Sequence, residues 1–113
     1  MEQAANNNVL KALDGVLQER RAASGDSSYV ASLYEKGLNK ILEKVGEEAT
    51  EVIIAAKDCD GEEGQDALLG EVADLWFHTM VLLAQQGLSS SDVLGILDER
   101  FGLSGHVEKA ARS

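Results

Sequence analysis

A chain of 113 residues with a formal charge of −10 has room for one small domain spanning 1–113, and its acidity argues against general attraction to nucleic acid or an anionic membrane. The single cysteine, Cys59, excludes an intrachain disulfide and a thiolate metal cage. No uninterrupted apolar run nears the roughly 18 residues of a membrane helix, and the opening "MEQAANNNVLK" lacks a basic segment followed by an apolar one, so a cytoplasmic protein without an export signal is expected.

The absence of Pro, the 4% aromatic content and the long stretches rich in Ala, Leu, Glu and Lys predict an all-α protein of four to five helices. Val9, Leu10, Leu13, Val16 and Leu17 recur at helical spacing and mark the first helix, which fades into "SGDSS" at Ser24 to Ser28. Ser27 or Ser28 is placed to cap the next region, "YVASLYEKGLNKILEKVGEEATEVIIAAK", which reads as two helices meeting near Gly37. "DCDGEEGQD", Asp58 to Asp66, reads as a turn between antiparallel helices. The following helix is expected from Asp66 to Gln86, with Gly87 as its stop. "SSSDVLGILDERFG" supplies a cap at Ser89 or Ser90 and a short last helix. Residues 1–7 and 106–113 are expected to be loosely held, leaving His106 without a role.

The charged residues acquire meaning on helical wheels, at roughly 100° per residue. With Glu47 at zero, Glu51 lies at about 40° and Glu48 at about 100°, a stripe bordering the apolar face formed by Leu38, Ile41, Val45, Ala49, Val52 and Ala56. Lys44 and Lys40 share that stripe, one and two turns earlier. On the helix from Asp66, apolar residues including Trp76, Phe77 and Met80 take almost every direction, which marks a helix enclosed by protein. The narrow polar strip holds Glu71, Asp74 and His78 within an arc of about 60°.

Like charges three and four residues apart on a helix repel by roughly 0.2–0.5 kcal/mol per pair, and an ionised carboxylate bordering apolar surface is costly unless it is paired or bound to metal. Two acidic stripes can offset that cost by facing each other across a divalent cation. Carboxylate oxygens without thiolates suit a hard cation, so Mg²⁺, with Mn²⁺ as a substitute, fits better than Zn²⁺. A di-iron bundle needs Glu-x-x-His pairs, and neither His78 nor His106 has a Glu three residues before it.

Glu47-Glu48-x-x-Glu51 followed by Glu71-x-x-Asp74 resembles the signature of the all-α nucleoside-triphosphate pyrophosphohydrolase superfamily. The surrounding "SSYVASLYEKGLNKILEKVGEEATEVIIAAK" and "EVADLWFHTMVLLAQQGLSSSDVLGILDERF", with "LDGVLQERRAASGDSSY" upstream, resemble the phosphoribosyl-ATP pyrophosphohydrolase family from about Val9 to Phe101. The resemblance implies hydrolysis of 1-(5-phosphoribosyl)-ATP to 1-(5-phosphoribosyl)-AMP and pyrophosphate, the second step of histidine biosynthesis. It implies Glu47, Glu48, Glu51, Glu71 and Asp74 as the metal-binding positions. Lys40, Lys44, Lys57 and Arg20 become phosphate contacts, and Ser28 and Tyr29, matching the family's Ser-Tyr pair, line the nucleotide pocket.

A carboxylate not fully engaged as a ligand can take the proton of the attacking water, and Glu48 and Glu51 are the candidates. His78, one turn beyond Asp74, is placed to orient that carboxylate or to bond within the core. A helix apolar on nearly all sides cannot be covered by a chain this small, so a bundle completed by homodimerisation, or by a higher homo-oligomer, is expected. The resemblance implies the same assembly, with functional coupling to a phosphoribosyl-AMP cyclohydrolase as the next enzyme. The alternatives are a house-cleaning pyrophosphohydrolase for another nucleoside triphosphate and a non-enzymatic metal-binding dimerisation bundle.

Overall fold

The computed structural model describes residues 2–22 and 28–103, and these form α1 (Glu2–Ala22), α2 (Tyr29–Lys36), α3 (Leu38–Lys57), α4 (Gly61–Gln85) and α5 (Ser90–Phe101), with no strand among them. The all-α expectation holds. Residues 106–113, and with them His106, lie outside the described residues.

Local chemistry explains most boundaries. Ser28 caps α2, its Oγ accepting from the Ala31 N–H at 3.1 Å. Gly37 separates α2 from α3 at φ 93°, a backbone that disfavours any side chain. Its N–H donates to the Leu33 carbonyl at 3.0 Å while its own carbonyl accepts from Lys40 and Ile41 at 3.1 and 3.3 Å. One residue therefore closes the last turn of α2 through its N–H and opens the first turn of α3 through its carbonyl. At the far end of α4, Gly87 sits at φ 77°. There Leu88 N–H reaches the Leu83 carbonyl at 2.7 Å and Gly87 N–H the Ala84 carbonyl at 3.0 Å, the paired bonds of a glycine-terminated helix.

The turn before α4 differs from the expectation. It comprises only residues 58–60, and Gly61 to Asp66, expected in the turn, are helical. Glu62 and Glu63, between the two glycines of that polar stretch, sit in the first turn of α4, where carboxylates complement the helix dipole. Gly64 is needed for closeness, since a Cβ there would stand 3.1 Å from the Cys59 Cα.

The core lies where four helices meet around the C-terminal half of α4. Leu17 from α1, Leu33 from α2, Ile41 from α3 and Met80, Val81 and Ala84 from α4 are buried, with Leu10, Leu13, Val30, Tyr34, Phe77 and Leu82 packed around them. α5 is fastened to α1 by Asp14, whose carboxylate accepts from Ser90 N–H at 2.9 Å and Ser90 Oγ at 2.5 Å. Ser90 is buried, and leaving such donors unpaired costs about 1–3 kcal/mol each.

By length and composition α4 could cross a membrane. Here its C-terminal half forms the core, while Glu71 and Asp74 occupy its middle. Its outer face is open within one chain: Trp76, expected in the core with Phe77 and Met80, is 57% exposed. Only Met80 of the three is buried, and Phe77 is half-buried.

Candidate active site

The antiparallel pairing of α3 and α4 builds the site. Glu48 lies eleven residues before Cys59 and Glu71 twelve after it, so the short turn brings these two opposite each other. Asp74 follows Glu71 by one helical turn on the same face. Carboxylate oxygens of Glu48, Glu71 and Asp74 lie within 4.8 Å of one another.

This is a concentration of negative charge, and Lys44 stands beside it. Lys44 Nζ stands 4.0 Å from Glu48 and 3.7 Å from Glu47. The Glu48 side chain is only 13% exposed, whereas that of Glu47 is 52% exposed and leans toward Lys44. Partial burial holds the Glu71 carboxyl above the usual carboxylate range, and the charges of Glu51, Asp74 and Glu48 push it further in the same direction. Glu51 thus acts on the cluster electrostatically without belonging to the group of three.

Oxygen donors alone, from two helices held by one turn, fit a hard divalent cation. Such an ion would neutralise the mutual repulsion and take its remaining ligands from water or phosphate oxygens. The donor set contains neither thiolate nor imidazole.

The other predicted site residues are distributed more widely. Lys40 pairs with Glu43 at 3.6 Å, and lies on α3 eight residues before Glu48, about 12 Å along the axis. Lys57, in the last turn of α3, is exposed and lies nine residues beyond Glu48, about 13 Å along the axis. Arg20 is exposed in the last turn of α1. Ser28 is the cap of α2. Tyr29, at the first position of α2, reaches across to α4: its hydroxyl lies 2.8 Å from His78 Nε2.

His78 does not bond the Asp74 carboxylate. Its Nδ1 lies 2.8 Å from the main-chain carbonyl of Asp74. A carbonyl only accepts, so Nδ1 carries the hydrogen; in the neutral ring Nε2 then accepts from the Tyr29 hydroxyl. This contact spans 49 residues of sequence and has no local signature. The Asp14 bonds to Ser90, across 76 residues, escape sequence reasoning for the same reason.

The fold and the site together define an all-helical protein with an acidic centre between two antiparallel helices. The phosphoribosyl-ATP pyrophosphohydrolase family model matches residues 10–101, a span that contains every residue of the acidic cluster and the Tyr29–His78 pair. The phosphoribosyl-ATP pyrophosphatase of Hydrogenovibrio crunogenus is 60% identical over 108 residues, covering 96% of this chain and 96% of that protein. The chain belongs to the phosphoribosyl-ATP pyrophosphohydrolase family and is an enzyme, a hydrolase.

Proposed function

We propose that this chain hydrolyses 1-(5-phosphoribosyl)-ATP to 1-(5-phosphoribosyl)-AMP and pyrophosphate with Mg²⁺, or Mn²⁺ in its place, as the second step of histidine biosynthesis, ahead of a phosphoribosyl-AMP cyclohydrolase. The observation that carries this reading is the convergence of Glu48, Glu71 and Asp74 within 4.8 Å. The relative's name supplies the substrate class.

Glu48, Glu71 and Asp74 would hold the cation. When bound, Mg²⁺ would supply positive charge that offsets the charge growing on the departing pyrophosphate. A water oxygen forms the new bond to phosphorus as the α–β phosphoanhydride P–O bond breaks. With Glu48 engaged beside Glu71 and Asp74, Glu51 becomes the better base to accept the water's proton. Lys44, adjacent to Glu48, is the lysine best placed to meet a phosphate oxygen. Lys40, Lys57 and Arg20, further off, would serve outlying parts of the substrate. A second copy of the chain covers the open face of α4 and completes the bundle as a homodimer.

The test is pyrophosphate release from phosphoribosyl-ATP by the purified chain, beside a panel of canonical and non-canonical nucleoside triphosphates. Release is expected with Mg²⁺, disappears on chelation and returns with Mg²⁺ or Mn²⁺. Undiminished release in chelator, or equal turnover of another triphosphate, overturns the proposal.

Cation binding should also depend on pH with a definite sign. Because the Glu71 carboxyl is raised, the folded protein holds that proton more tightly than the unfolded chain does. Without cation, this contribution to stability is full below the ordinary carboxyl range and is lost as pH rises through the raised value. A cation must displace the proton, so its affinity climbs over the same interval and then levels off. Calorimetric Mg²⁺ titrations at a series of pH values read this directly, and a flat profile through the carboxylate range contradicts it.

A further inference from the structure

His78 stands apart from the other polar groups on the strip of α4. It is 6% exposed, and both of its ring nitrogens are engaged. Metal-binding histidines ordinarily donate their non-ligating N–H to a carbonyl or carboxylate, which fixes the tautomer and leaves the other nitrogen for the metal. His78 makes that preparatory bond: Nδ1–H to the Asp74 carbonyl at 2.8 Å. The nitrogen that would be offered to a metal is therefore Nε2, and its lone pair is taken by the Tyr29 hydroxyl at 2.8 Å. The ring is held between two others, with Tyr29 and Phe77 meeting it edge-on at centroid distances of 5.8 and 5.1 Å. Although His78 leaves α4 one turn from Asp74, it is absent from the group of ligand atoms formed by Glu48, Glu71 and Asp74.

We infer that Tyr29 is a positioning residue that sets metal preference: by occupying His78 Nε2 it keeps an imidazole out of the ligand set and leaves the acidic centre with oxygen donors alone. The inference rests on that centre holding a divalent cation, as proposed above. Oxygen donors suit Mg²⁺ and Mn²⁺, whereas an added imidazole nitrogen favours Zn²⁺, Co²⁺ and Ni²⁺, which already bind most sites more tightly. A hydrogen bond that blocks one nitrogen thus guards an oxygen site against capture by later transition metals.

The experiment uses the full chain and its Tyr29→Phe variant, titrated calorimetrically with MgCl₂ and with ZnCl₂, alongside ¹⁵N spectra of the histidine side chains. In the variant the ratio of Zn²⁺ to Mg²⁺ affinity rises by about tenfold or more, and the His78 Nε2 resonance moves on adding Zn²⁺. In the parent protein that resonance stays in place. A double variant, Tyr29→Phe with His78→Asn, returns the ratio to the parent value. If the hydroxyl served packing alone, both cations would weaken in proportion, and an unchanged ratio with Mg²⁺ still binding the parent overturns this inference only. A shift of Nε2 by Zn²⁺ in the parent overturns it as well. If neither cation binds the parent, the acidic centre itself fails as a metal site and the inference falls with it.

Discussion

Asp74→Asn is expected to lower pyrophosphate release by about 10²–10⁴-fold, because in the proposed reaction several kcal/mol of transition-state stabilisation depend on a correctly held cation. The same substitution leaves the fold intact. Asp74 is exposed and its main-chain carbonyl, which receives the His78 Nδ1–H at 2.8 Å, survives the change. Without cation the variant melts at or above the parent temperature, since one of three mutually repelling carboxylates within 4.8 Å has been neutralised. Loss of activity together with retained or raised cation-free stability is the mark of a binding site rather than a structural prop. Glu48→Gln should behave alike. Glu47→Gln is the discriminating control: that side chain leans toward Lys44 at 3.7 Å and stands outside the group of three, so its removal should cost no more than about tenfold. Steady-state assays of the three variants beside thermal melts in chelator decide the matter. A Glu47→Gln loss equal to that of Asp74→Asn would move the centre one residue along α3.

Much of this geometry is legible in the sequence because helical periodicity is a strong constraint. The three- and four-residue spacings of Glu71, Asp74 and His78 put them on one strip whatever surrounds the helix. Choosing Glu48 from among Glu47, Glu48 and Glu51 needs more: the register of α3 against α4, which follows from where the turn lies. Composition does not fix that turn, as Gly61, Glu62, Glu63 and Gly64 suit both a loop and an acidic first helical turn. The role of Tyr29 shows the other limit. A Ser-Tyr pair before a helix predicts the Ser28 cap, since capping is local, but nothing in the flanking residues points to an imidazole 49 positions away.

Trp76 shows how far apolar content reaches. The sequence says that α4 wants to be covered on all sides without saying by what, and one chain leaves Leu69 66%, Trp76 57%, Leu94 47%, Leu97 40% and Phe101 66% exposed. Between α1, α4 and α5 this opens into a groove of about 380 Å³, lined by Leu10, Leu75, Trp76, Met80, Leu94 and Leu97 among others. Covering such half-exposed side chains contributes roughly 1 kcal/mol each, so the same set on two copies approaches on the order of 10 kcal/mol, comparable with the whole stability of a small domain.

The expected result for Trp76→Glu with Leu94→Glu is therefore loss of both assembly and fold. Sedimentation should report a species of twice 12.1 kDa or larger for the parent and the single-chain mass for the variant, with a melting temperature lowered by tens of degrees or no cooperative melt. Trp76 leaves α4 about 200° around the axis from Asp74, so the effect on hydrolysis is indirect, through loss of the α3–α4 register. A parent that sediments as a single chain, or a variant that keeps its mass and its melt, would show that this apolar face is tolerated in water.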